Sequence, residues 1–416
     1  MRFRLSRRSQ VLALAAVSAF AVTGCGGDEE ATGSGAAGGS SAAKGTPVKL
    51  MTISAVGSPL TNYPDIEAAT KAAADAINKS GGINGHPIEA TFCNTKGDAN
   101  GSTTCAREAV KEKVAAVVGD LDIFEPVSFP VLEKAKIPVV GQHPAGAEND
   151  FKSEYSFPLQ SGNGAGYAAF AYAAAKEGKK RFLIVTIDLP IAATQNAWAE
   201  AGAKDAGLEV LPQVKIPAEG VTDYTPYVQQ AKSQNADAIL IVQGNAGTQG
   251  VLKAADAVGL DAMFGQSITS FGESEAASVK DISSKVFVGS PYPSINDESV
   301  PAIKAWHDDL DAAGVGKDPI LRRTAGLNTW LAYHAVAQLG ETIQGDITNE
   351  SLFAALKQEA GPFDIQGLVS WEPAKSGSFG ALPHFPPHDF HVQTFEDGKI
   401  VDSGVGKIPD PLKPSR

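Results

Sequence analysis

The chain has 416 residues, with 35 Lys and Arg against 47 Asp and Glu and a formal net charge of −12. Beyond the first few residues no basic patch or run occurs, which excludes nucleic acid as a partner. The acidity serves solubility, and the roughly 370 residues after position 46 are enough for two lobes with substantial cores.

Arg2, Arg4, Arg7 and Arg8 precede an apolar run over 11–22, and small residues then lead to Cys25. This order is that of a secretory signal. The run is short of the roughly 20 residues a membrane-spanning helix needs. Val22-Thr23-Gly24-Cys25 resembles the bacterial lipobox, whose cysteine is acylated with diacylglycerol and becomes the mature first residue. The resemblance implies a lipid anchor at Cys25, firm because each buried CH₂ contributes about 0.8 kcal/mol. Ser6-Arg7-Arg8 hints at twin-arginine export, but Gln10 stands where that signal has an apolar residue, so the route stays open. Residues 26–46, made of Gly, Ser, Ala and Thr with Asp28, Glu29 and Glu30, have almost nothing to bury and read as a flexible tether. With Cys25 acylated, Cys93 and Cys105 remain as an even pair outside the cytosol and are expected to form a disulfide. Closing that short loop contributes about 3 kcal/mol.

From there short apolar runs alternate with Ala-rich amphipathic segments, the pattern of parallel sheets covered by helices. Strands are expected at 49–55, 88–93, 115–119 and 137–141, with helices at 64–79, 106–113 and 126–135. In the first helix Ile66, Ala69, Ala73, Ala76 and Ile77 recur along one face, and Gly81-Gly82 ends it. An extended piece over 155–160 runs into Ser161-Gly162-Asn163-Gly164, where a second series begins. It comprises helices at 165–179, 192–206, 224–234 and 248–258, and strands at 182–187, 208–216, 238–243, 262–265 and 286–289. Two series joined by an extended connection imply two lobes. The helices expected at 300–313, 324–339 and 349–359 lack strands of their own and return to cover the first sheet, and 380–401 adds short extended pieces.

This order resembles the type I periplasmic binding proteins of the leucine/isoleucine/valine-binding family. The likeness rests on the opening strand Val48-Lys49-Leu50-Met51-Thr52-Ile53 and on the run from Ile77 to Gly85 with its Asn-x-x-Gly-Gly-Ile-x-Gly turn. Ala115-Ala116-Val117-Val118-Gly119, Lys136-Ile137-Pro138-Val139-Val140 and Tyr333-His334-Ala335 match in place and type. The resemblance implies an α/β fold of two Rossmann-like lobes with parallel sheets, joined by a three-crossover hinge and closing on a ligand. The expected lobes are 47–161 with 292–370, and 162–291 with 371–416. It further implies a monomeric solute-binding lipoprotein of an ABC importer, on the outer face of the cell membrane, delivering a small polar solute of the branched-chain amino acid or amide-like class to a permease without a cofactor. A ligand-sensing subunit of a membrane receptor and a secreted hydrolase are the rival functions.

Open parallel sheets bind ligands outside the carboxyl ends of their strands. The loops there offer Asp122, Phe124, Gln142 and His143 in the first lobe, and Asp188, Gln243, Asn245 and Ser267 in the second. The crossovers offer Ser161, Asn163 and Tyr292. Amides, hydroxyls and an aromatic ring or two suit a small polar ligand that must be desolvated and re-paired. Each has a structural alternative: Asp188 as a helix cap, His143 as a loop anchor, Phe124 as core. Amino-acid binders of the family hold the carboxylate with a Ser-rich loop after the third strand and the ammonium with an acid near the first crossover. Here Asp122 and Phe124 occupy the loop and Asn163 the crossover, a departure that puts an amino-acid ligand in doubt.

Two further motifs stand out in the sequence. Gly162-Asn163-Gly164-Ala165-Gly166-Tyr167 approaches a dinucleotide fingerprint, but Tyr167 replaces the third small residue. His384, His388 and His391 are clustered, but Pro386-Pro387 breaks the helix that a His-x-x-x-His metal pair requires. No nucleophile elbow or metalloprotease helix is present, so no enzyme is expected.

Overall fold

The computed structural model describes residues 45–413 apart from Glu219. The signal segment, Cys25 and nearly all of the tether lie outside the described residues.

The first sheet is built from β1 (Val48–Ser54), β2 (Ile88–Asn94), β3 (Ala116–Val118), β4 (Val139–Val140) and β5 (Ser156–Phe157), all parallel, in the order β2-β1-β3-β4-β5. Between them run α1 (Pro64–Lys79), α2 (Ala99–Glu112), α3 (Glu125–Lys134) and the short α4 (Asn149–Lys152). Helix α2 starts seven residues earlier than its apolar spacing suggests. The reason is a cap: Asp98 accepts a hydrogen bond from the Gly101 amide at 2.7 Å, satisfying a donor that the helix leaves unpaired. Cys93 and Cys105 form a disulfide that ties β2 to α2.

The second sheet begins after α5 (Gly162–Lys176) with β6 (Arg181–Ile187), α6 (Pro190–Asp205), β7 (Glu209–Val210) and β8 (Val214–Ile216). It continues through α7 (Thr225–Ser233), β9 (Ala238–Val242), α8 (Asn245–Ala257), β10 (Met263–Ser267), α9 (Glu273–Ala277), α10 (Lys280–Ser283) and β11 (Val286–Ser290). The single strand expected over 208–216 is two, because Pro212 has no amide to give the ladder. Helix α5 is buried on almost every side, as an Ala-rich helix without a polar face must be. It comes so near the sheet that a Cβ at Gly289 would lie 2.4 Å from the Gly166 carbonyl oxygen.

The chain then returns with α11 (Pro301–Ala312), α12 (Thr324–Gly340) and α13 (Asn349–Lys357), followed by the hairpin β12 (Phe363–Ile365) and β13 (Val369–Trp371). As expected, α12 lies on the first sheet. Thr329 donates to the Gly119 carbonyl at 2.6 Å, Asn328 to Gly141 at 2.8 Å, and the Tyr333 hydroxyl meets Thr52 at 3.1 Å. The chain crosses a last time to add β14 (Phe390–Glu396) antiparallel to β11 and β15 (Lys399–Ile408) antiparallel to β14, giving the order β15-β14-β11-β10-β9-β6-β7 with β8 also on β6. The second sheet is therefore mixed rather than wholly parallel, and the short turn from β14 to β15 requires that pair to be antiparallel.

The three crossings lie side by side. Tyr292, on the second, donates to Asn328 of α12 at 2.7 Å. His388, on the third, bonds to the Pro291 carbonyl on the second at 2.8 Å. That bond occupies the central histidine of the C-terminal cluster. Among the described residues no group of three His, Cys, Asp or Glu is arranged to hold a metal ion, and no helix is long and apolar enough to cross a membrane.

Within the first lobe lies a nest of buried acids, Asp120, Glu125 and Asp150. No amide or hydroxyl reaches Asp120 Oδ1 or either Glu125 oxygen. Burial, reinforced by the neighbouring carboxylates, holds Asp120 and Glu125 well above the usual range, and burial pushes Asp150 to about 7. A dry site poor in donors penalises the charged form of such acids.

Candidate functional site

The carboxyl ends of both sheets face one another, and residues from the two sides touch. Gly244, after β9, leaves no room for a side chain: a Cβ there would sit 2.2 Å from the Leu60 carbonyl oxygen in the loop after β1. Gln195 of α6 donates to the Ala145 carbonyl in the loop after β4. Tyr63, at the start of α1, bonds through its hydroxyl to Ser270 and Thr269 beyond β10, and burial raises that phenol to about 12.

A buried ion pair completes the contact. Arg323, just before α12, donates to Glu275 of α9 at 3.0 Å, and the two side chains are only 3% and 6% exposed. Arg323 also reaches the carbonyls of Asn62 and Thr269, both at 3.3 Å, so one guanidinium grips loops of both sheets. Against the penalty of burial, Arg323 and the Gly272 amide hold the Glu275 carboxyl below its usual range. Asp65 nearby is raised by burial to about 6 in spite of Arg323.

Between these contacts lies a cavity of about 60 Å³. Its polar lining is Thr61, Tyr63, Asn163, Tyr167, Gln195, Gln243 and Ser270, and its apolar lining includes Leu60, Ile123, Ile187, Leu189 and Val242. No charged side chain is among the described residues that line it.

Behind Asn163 stands a neutral network. Gln160 donates through its amide nitrogen to His143 Nδ1 at 3.1 Å, which leaves the proton on Nε2. His143 Nε2 donates to Asn163 Oδ1 at 2.9 Å. The same oxygen takes the Ser267 hydroxyl at 2.6 Å and the Thr269 hydroxyl at 3.2 Å. Burial lowers His143 to about 4, so the imidazole is uncharged at neutral pH and serves as a fixed donor.

Of the residues singled out in the sequence, Asn163 and Gln243 line the cavity, with His143 and Ser267 directly behind. The others are placed elsewhere. Asp122 turns into the first lobe, where it accepts from Ser102, from Ser128 at 3.2 Å and from the Phe124 amide at 3.0 Å. Phe124 is half-buried at the start of α3, and Ser161 is buried at the N-cap position of α5 without a side-chain capping bond. Gln142 points toward the acid nest and donates to Ser156 at 2.5 Å. Asn245 donates to Glu275 at 3.2 Å, and Tyr292 is wholly buried at the crossings. Asp188 neither lines the cavity nor caps α6, whose N-cap is Leu189. It is exposed and pairs with Lys215 at 3.3 Å beside a shallow groove on the second lobe. The carboxyl-end rule selects loops, but strand geometry turns successive side chains to opposite sides, and half of each loop faces its own lobe.

Thr61, Tyr63, Tyr167, Gln195, Ser270 and Arg323 escaped the sequence reading. The loop after β1 obeys the same rule as the others and would have yielded Thr61 and Tyr63. Tyr167 stands in the Gly-rich run weighed as a dinucleotide motif, where the large residue that spoils the motif is the one that reaches the cleft. Arg323 carried no signal, since its partner Glu275 is 48 residues away.

A family model described as periplasmic binding protein matches residues 48–399. Solved structures share the fold at low identity. A branched-chain amino acid ABC transporter protein from Thermus thermophilus with bound valine aligns with TM-score 0.74 at 15% identity, over 89% of this chain and 98% of its own. A leucine-binding protein from Thermotoga maritima aligns with TM-score 0.72 at 16% identity, over 87% and 99%. A solute-binding protein of an ABC transporter from R. palustris, in complex with 4-hydroxybenzoate, aligns with TM-score 0.68 at 19% identity, over 88% and 98%. No curated protein sequence matches the chain.

Proposed function

The chain belongs to the periplasmic binding protein family, and from that premise we propose that it is the solute-binding lipoprotein of an ABC importer. It takes a small polar solute into the cleft between its sheets and presents the closed form to a permease. The observation that carries this reading is the cavity lined from both sides, by Thr61 and Tyr63 of one lobe and Asn163, Tyr167 and Gln243 of the other. A solute held there contacts both lobes only when they meet, so binding draws an open-closed equilibrium toward closure. Residues 47–161 with 292–370 move as one body and 162–291 with 371–416 as the second. The three crossings are the hinge, with Tyr292 and His388 bonded across them. The structures with bound valine and with 4-hydroxybenzoate indicate that one scaffold serves solutes of different chemistry.

In this reading Cys25 holds the protein on the outer membrane face and residues 26–46 are its leash. Cys25→Ala is expected to move the protein from the membrane fraction to the soluble one. The cleft is tested by melting the protein against amino acids, amides, polyamines, aromatic acids and sugars. A ligand that binds only the native state raises the midpoint by mass action, about 2.7 kcal/mol at a hundred times Kd. A concentration-dependent rise with one class is expected. A complete screen without a rise sinks the proposal.

A further inference from the structure

Building on the cleft reading, we infer that the solute is a small uncharged carbonyl compound, whose oxygen is held between Thr61 of the first lobe and Gln243 of the second. Two buried groups of the cavity wall lack a partner: the Thr61 hydroxyl and the Gln243 side-chain nitrogen. Their residues are 5% and 7% exposed. A buried donor without an acceptor costs about 1–3 kcal/mol, so such groups survive where something supplies the acceptor. The amide nitrogen of Gln243 can only donate, and a hydroxyl can donate as well. One oxygen accepting from both satisfies both and joins the lobes.

The rest of the wall rejects charge. A zwitterionic amino acid brings a carboxylate and an ammonium, and each costs far more to bury than a neutral group unless it is paired. The described lining holds no charged side chain for either. Arg323, which joins the two sides beside the cavity, is already committed to Glu275 and to two carbonyls. The best acceptor for an ammonium, Asn163 Oδ1, already receives His143, Ser267 and Thr269. Beyond Thr61 and Gln243 the wall offers the neutral side chains of Asn163, Gln195 and Ser270, apolar surface and two tyrosine rings, which suit a neutral molecule with a hydrocarbon body.

The test sets acetamide, isobutyramide and benzamide against acetate, isobutyrate, benzoate, isobutylamine and valine, by calorimetry and melting of the intact protein. At least one amide is expected to bind, at least tenfold more tightly than its carboxylate, amine or amino-acid counterpart. Gln243→Leu and Thr61→Val are each expected to weaken that binding about tenfold, the equivalent of 1.4 kcal/mol. If valine or a carboxylate binds more tightly than the amides, the inference falls while the solute-binding reading stands. Amide binding that survives both substitutions also overturns it. If nothing binds here or in the wider solute screen, both fall together.

Discussion

The cleft and the acid nest are both buried and both polar, yet they are built in opposite ways. Tyr63 and Tyr167 on the cleft wall and His143 behind it are neutral at physiological pH, and bonds there run between lobes, as from His143 to Asn163 and from Tyr63 to Ser270. In the nest Asp120, Glu125 and Asp150 crowd together within one lobe, and Asp120 Oδ1 and both Glu125 oxygens want for donors. The first arrangement is completed by something arriving from outside. The second favours the protonated form of its own acids, and it concerns the stability of the lobe rather than its ligand.

The sharpest way to separate the two is to break the buried ion pair that crosses the lobes. Glu275→Ala leaves Arg323 buried without its carboxylate and is expected to cost about 3–5 kcal/mol in chemical denaturation. Replacing both residues by apolar ones of similar volume is expected to recover most of that loss. A cost for the single variant below 1 kcal/mol would show that the pair is exposed to water in solution.

The nest answers to pH. Asp150 has a folded pKa raised to about 7 by burial, so its contribution to stability is fully present below the unfolded value and is lost as pH rises through about 7. Asp150→Asn is expected to flatten the decline of the melting temperature between pH 5 and pH 8, which a scan at constant salt would reveal. His143 works in the reverse direction. Burial lowers it to about 4, so the folded state binds fewer protons than the unfolded one above that point. Stability is therefore expected to fall as pH drops from about 6.5 toward about 4, and His143→Gln to remove that part of the acid limb. If His143→Gln leaves the acid limb unchanged while Asp150→Asn alters it, the contrast between the two regions collapses.

Much of this was legible in advance. Both sheets, the return of α12 and the pairing of Cys93 with Cys105 follow from apolar period and cysteine count. Those are local signals, or signals with a single solution. The cavity lining was half legible. Asn163 and Gln243 could be found because a rule about strand ends selects their loops. The turn of Asp122 toward Ser102 and Ser128 could not, because it depends on which way one carboxylate swings once the loop has closed. Asp188 and Lys215 teach the same lesson at the surface: an acid at a strand end looks functional until its neighbour is seen. The smallest effect expected belongs to them. Asp188→Asn is expected to change stability by less than about 1 kcal/mol and leave solute affinity untouched, as an exposed pair would.

The bare backbone at Gly244 has a consequence of its own. With no side chain between it and the Leu60 carbonyl, the two halves can come together until main chain meets main chain. Each carbon atom added at that position would act as a spacer, setting how far ajar the empty protein rests. Residue 244, on the cavity wall itself, is thus a dial on the resting population, one that can be turned in steps, Gly to Ala to Val.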